Sequence, residues 1–178
     1  MLPAALPTSL HDFWNRTQAQ LVDAGARHGF DWPAIWQQFS AEQQAQAQKV
    51  LTVSQYVAES LPRDADWFKT ALLEQQFLQP LTRNKISPCL DDLSANAVTE
   101  EDWQQALRKL RRRAMVNIIW RDVLRLAKTL ETTRALSDLA DECVIRSLEF
   151  LGKIFLFHKK FFQKSIDKPV RLYYTINS

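Results

Sequence analysis

The sequence predicts an all-α fold, a bundle of six to seven helices. Three observations carry this. Apolar residues recur at three- and four-residue steps through most of the first 151 positions. N-cap signals precede these runs. No alternating strand pattern occurs before residue 151. A chain of 178 residues that is 46% apolar and 24% charged supports one domain with a proper core.

Taken in order, Pro3 and Pro7 keep the start irregular. Ser9 is placed to cap a helix bearing Leu10, Phe13, Trp14, Leu21 and Val22, which Gly25 and Gly29 end. Asp31-Trp32-Pro33 opens a short helix whose apolar face is Trp32, Ile35, Trp36 and Phe39. Ser40 and Gln43 make a capping box for the next. Ser54 then caps a segment with Val53, Tyr56, Val57 and Leu61 inward, and Pro62 stops it. Asp64 or Asp66 starts a helix carrying Trp67, Phe68, Leu72 and Leu73. Residues 79–98 hold two prolines among Asn, Ser and Asp, and read as the longest loop.

The stretch Thr99 to Ala127 organises the rest. Thr99 is an N-cap, and Glu100, Glu101 and Asp102 set negative charge at the positive end of the helix dipole. Trp103, Leu107, Leu110, Ala114, Ile118 and Leu126, helped by Met115, Ile119 and Val123, form a wide apolar stripe. Between them lie Arg108, Lys109, Arg111, Arg112 and Arg113. These are either a solvated face with salt bridges or a contact surface for phosphate or an acidic partner. They spread around most of the helix, so they cannot all touch one ligand. After a break near Lys128–Glu131, a last helix over about 131–151 places Leu136, Leu139, Ala140, Cys143, Val144, Ser147, Leu148 and Leu151 on one face. The tryptophans at 14, 32, 36, 67, 103 and 120 read as core.

Composition changes at 152. Residues 1–151 carry 17 Lys/Arg against 19 Asp/Glu, while residues 152–178 carry six Lys/Arg and only Asp167. The tail lacks Ala, Glu and Trp, and Val170, Leu172, Tyr174 and Ile176 alternate as in a strand. The expected organisation is a helical region over 1–151 and a basic aromatic tail over 152–178 with a short helix or strand. The tail reads either as foreign sequence, as after a reading-frame shift, or as a genuine arm for a membrane surface or nucleic acid.

No active site is legible, and no catalytic, cofactor-binding or metal-ligating residue is assigned. His11, His28 and His158 lie far apart, and Cys89 and Cys143 form no CxxC. Gly25, Gly29 and Gly152 are the only glycines, so no phosphate loop or dinucleotide fingerprint exists. Asp91-Asp92 and the pair Asp138 and Asp141 read as solvated acids rather than cation ligands. No secretory signal and no run near the ~20 apolar residues of a membrane helix occur, so a cytoplasmic protein is expected.

The stretch 107–144 resembles the bacterial glutamine synthetase adenylyltransferase (adenylyl-removing) enzymes. The resemblance rests on Arg111-Arg112-Arg113, then Met115-Val116-Asn117-Ile118-Ile119-Trp120, then Leu136-Ser137-Asp138-Leu139-Ala140. Residues 49–68 and the segment 86–92, ISPCLDD, resemble the family's earlier helices and the loop before the long helix. The resemblance implies a two-headed nucleotidyltransferase that uses ATP and magnesium to attach AMP to glutamine synthetase and also removes it, biased by glutamine and the PII protein. In the family a glycine-rich turn and a Ser–Asp-x-Asp metal site follow this helical segment. Here Leu151-Gly152-Lys153 only echoes the turn, and no Asp-x-Asp follows. The expectation is an N-terminal region that is inactive by itself. The alternative is a helical nucleic-acid-binding or protein-interaction module using 108–113, although the small net charge of +3 makes nucleic acid a poor fit.

Overall fold

A computed structural model describes residues 8–166, with side chains described over residues 10–156. The described residues are mostly helical, without a strand. The helices are α1 (Thr8–Arg27), α2 (Trp32–Gln37), α3 (Ala41–Val53), α4 (Gln55–Ser60), α5 (Ala65–Leu73), α6 (Arg83–Ser94), α7 (Glu100–Val123) and α8 (Thr129–Ile166). A 3₁₀ turn at Leu61–Asp64 joins α4 to α5 without a gap, so the bundle comprises seven helical runs, and a second 3₁₀ turn lies at Gln76–Leu78.

Local signals account for most boundaries. α1 ends in a Schellman motif: Gly29 takes φ 77°, Phe30 N–H donates to Gly25 carbonyl at 3.0 Å, and Gly29 N–H donates to Ala26 carbonyl at 3.3 Å. Gly25 itself stays helical and serves packing instead, because a Cβ there would lie 2.9 Å from the Phe30 carbonyl oxygen. Ser9 sits inside α1, which is already helical at Thr8. The Ser40–Gln43 box forms in both directions, and Ser54 accepts from Val57 N–H to cap α4. Pro62 does not stop the chain. It occupies the first turn of the 3₁₀ segment, where its missing N–H costs nothing.

The side chains divide into two cores. Leu21, Trp32, Val50, Phe68, Phe77 and Trp120 belong to the first, built from α1 to α5 and the second half of α7. Ile86, Leu90, Trp103, Leu110, Ala114 and Leu139 belong to the second, built from α6, the first half of α7 and α8. α7 therefore runs through both. Aromatic contacts fill the first core: Phe77 stacks on Trp120 with centroids 4.6 Å apart, and Trp32 stacks on Phe68 at 5.5 Å. In the second, Trp103 stacks on Phe150 at 4.6 Å and its indole N–H donates to Ser147 Oγ at 3.1 Å. All six tryptophans are buried or half-buried.

Several expectations change. The loop expected over 79–98 contains α6, and the ISPCLDD segment is helical. Pro88 lies inside that helix, yet Ile86 and Leu90 on either side are fully buried against α7. Their burial at ~1.5–3 kcal/mol each outweighs the ~3 kcal/mol cost of an interior proline. α7 stops at Val123 rather than Ala127, because Arg125 turns left-handed at φ 55° and leaves Leu126 exposed. Val53, Tyr56 and Leu73 point to solvent. α8 does not end near 151. It passes through Gly152 to Ile166, since one glycine costs only about 1 kcal/mol in a helix and the next proline is Pro169. Position 152 is thus no turn. The strand reading of Val170–Ile176 lies outside the described residues.

The largest correction concerns which face of α8 is buried. Ala135, Leu139 and Glu142 are buried and Cys143 is half-buried, whereas Leu136, Ala140, Val144, Leu148 and Leu151 are exposed. The apolar stripe and the packed face are displaced around the same helix. Replacing Trp120 by Ala should lower unfolding free energy by ~3–5 kcal/mol in urea titrations, because the stacked Phe77 and the adjacent Phe68 lose their partner.

Candidate functional site

The basic cluster of α7 divides by direction. Arg113 makes a bidentate pair with Asp64, Nε to Oδ2 at 2.6 Å and Nη2 to Oδ1 at 3.0 Å. Its guanidinium also lies 5.2 Å from the Trp67 ring centroid. Lys109 approaches Asp64 Oδ1 at 3.7 Å. Asp64 is buried, so this carboxylate ties the 3₁₀ turn to the middle of α7. Asp64 holds the N-cap position of α5 but caps nothing there, because its oxygens serve α7. Arg111 lies on the α8 side, close enough to Cys143 to act on its thiol. Arg108 and Arg112 turn the other way. With Arg63, Lys109, Asn96 and Gln105 they line an open cleft of about 510 Å³ floored by Leu93, Ala97 and Ala106. The five cations therefore face three surroundings, as their circumferential spread requires.

A second polar anchor holds the far end of α7, and sequence reasoning did not single it out. Arg121 is 5% exposed and donates from Nε and Nη2 to Glu131 Oε1 at 3.0 and 2.8 Å. It also donates to the Leu126 carbonyl at 3.2 Å and to the Leu78 carbonyl. Those bonds join the second 3₁₀ turn, the α7–α8 turn and the first turn of α8. The missed signal was a lone Arg inside an apolar run, where a buried guanidinium must satisfy its donors.

Among the described residues no group of three His, Cys, Asp or Glu side chains could hold an ion. Asp91 pairs with Arg146 and Glu142 with Arg83 at 3.0 Å. Asp102 closes the Thr99 capping box, and the Thr99 backbone and hydroxyl bonds hold its carboxyl below the ordinary range. This donor set does not fit the magnesium that the family resemblance implies, so no nucleotidyl-transfer step is derived from it. Burial pushes the Cys89 thiol up against the opposing Arg113, and burial aided by Glu142 pushes up Cys143. No described helix is long and apolar enough to cross a membrane.

Two outcomes follow from these contacts. Asp64→Ala should cost about 3 kcal/mol in chemical denaturation, since it strands Arg113 beside a half-buried ring. Both thiols should alkylate with iodoacetamide at pH 8 more slowly than free cysteine and reach the free rate in denaturant, because a raised thiol pKa leaves less thiolate. The same sign means that this contribution to stability is present below the ordinary thiol range and is lost as pH rises from there through the raised value of the folded chain.

Comparison with known proteins covers most of the chain. The family model for glutamate-ammonia ligase adenylyltransferase matches residues 44–159. A bifunctional glutamine synthetase adenylyltransferase/adenylyl-removing enzyme from Shewanella loihica is 32% identical over 151 residues, 85% of this chain and 15% of that protein. The enzyme of that name from Acinetobacter baylyi is 33% identical over 105 residues, 59% of this chain and 11% of its own. That from Pseudomonas putida is 28% identical over 151 residues, covering 84% and 15%. No solved structure matches. The chain thus spans about 15% of the length of the relatives that it matches most fully. With the α7 motif region inside the matched span, the chain belongs to the glutamate-ammonia ligase adenylyltransferase family.

Proposed function

We propose that this chain is the N-terminal helical region of a bifunctional glutamine synthetase adenylyltransferase/adenylyl-removing enzyme, and that it packs and presents surfaces rather than transferring AMP itself. In this reading the ATP- and magnesium-dependent attachment of AMP to glutamine synthetase, its removal, and control by the PII protein belong to polypeptide that the longer relatives carry. The compartment is the cytoplasm.

The observation that carries the reading is the α8 stripe. Val144, Leu148 and Phe155 are 60%, 66% and 70% exposed, in line with Leu136 and Leu151. A continuous apolar face of this kind marks an interaction surface. The stripe lies within the family match, and the relatives hold far more chain with which to cover it. In this reading the region over 1–151 precedes a nucleotidyltransferase half. The match through residue 159 supports a departure from the family later than the compositional change at 152.

Incubated alone with adenylylated glutamine synthetase, phosphate and magnesium, the chain should release no ADP, the product of transferring the adenylyl group to phosphate; robust turnover would refute the reading. Independently, the native chain should enhance the fluorescence of an apolar dye. Val144→Glu with Leu148→Glu should abolish most of that signal while leaving the helical circular dichroism unchanged.

A further inference from the structure

The geometry points to a second feature, independent of the family reading: the cleft between the Leu61–Asp64 turn, α7 and the α6–α7 connection is a binding site for the phosphate groups of a small, multiply charged anion. Arg63, Arg108 and Arg112 would supply the charge, and Asn96 and Gln105 neutral donors.

Part of the positive charge on this protein is committed to ion pairs. Arg83, Lys109, Arg113, Arg121 and Arg146 each meet a carboxylate. Arg63, Arg108 and Arg112 meet none among the described residues, although they share one cleft of about 510 Å³. Arg108 and Arg112 are four apart on a helix, where like charges oppose one another. The only acid in the lining is Asp102, and three hydrogen bonds commit its Oδ2 to Val98 and Thr99. Arg63 directly precedes Asp64, whose bidentate bond to Arg113 fixes the turn against α7. The three guanidinium-bearing positions are thereby held together by a buried anchor that any ligand would find already formed.

The lining also selects the class of anion. Guanidinium groups bind phosphate oxygens in bidentate pairs. Side chains four apart on a helix start ~5–6 Å from each other, a spacing suited to successive phosphates. No aromatic ring lines the cleft, and its floor is Leu93, Ala97 and Ala106. Binding of single-stranded nucleic acid relies on bases stacking on aromatic faces, and the cleft offers none. The site therefore reads charge and spacing, not a base.

The test is calorimetric titration of the full chain with tripolyphosphate, ATP and a single-stranded oligonucleotide at low salt. Tripolyphosphate should bind saturably at one site, with ATP within about threefold of it. Arg108→Gln with Arg112→Gln should weaken binding at least tenfold, and Arg63→Gln severalfold. Arg111→Gln, on the α8 side of the same helix, should change it less than twofold. Tripolyphosphate should also raise the melting temperature of the wild type and not that of the double variant, whose own melting temperature should not fall. Absence of saturable binding at millimolar tripolyphosphate would overturn the site. So would an equal loss in Arg111→Gln, a strong preference for ATP, or tighter binding of the oligonucleotide with a steep salt dependence.

Discussion

The structure depends on a single helix being buried on two different faces along its length. The first half of α7 offers Trp103, Ala106, Leu110 and Ala114 to α6 and α8, and the second half offers Val116 and Trp120 to the α1–α5 side. Neither core closes without it. Pairs of short helices such as α2 and α4, six residues each, have little stability of their own and acquire it by packing. Two apolar groups on different faces share one helix, and Arg108, Lys109, Arg111, Arg112 and Arg113 lie in the segment where the buried face changes.

That concentration explains the two polar anchors. A guanidinium deep in a bundle must be fully bonded or it destabilises the fold. Arg113 meets this with Asp64, and Arg121 with Glu131 and two carbonyls. Both ties run from α7 to a 3₁₀ turn or a helix start, so they fix where the irregular segments lie. They also separate cations that hold the fold from cations that remain available. Arg63, Arg108 and Arg112 are in the second group: they line one cleft and form no ion pair among the described residues.

The membership of a family of much longer enzymes gives the exposed face of α8 a physical meaning. A stripe from Leu136 to Phe155 is as regular as any core-facing stripe in the chain, yet Ala135, Leu139 and Glu142 do the packing. A helix apolar on two sides is suited to lie between two bodies of protein. The same helix runs through Gly152 without a turn, so the compositional change there has no counterpart in the backbone.

Sequence alone determined the helical class, the capping box at Ser40, the N-cap at Thr99 and the central role of α7. These rest on local chemistry: hydroxyls that bond first-turn N–H groups, and a 3.6-residue period that shows which side chains align. Tertiary structure decided what local rules leave open. It kept α6 helical around Pro88, because Ile86 and Leu90 gain more by burial than the proline costs. It chose which of two apolar faces of α8 packs inward, a choice that depends on the shape of the neighbouring helices and not on apolar spacing. It also sorted five similar cations into anchors and free charges, since pairing depends on where Asp64 lies after the chain has folded back across some fifty residues.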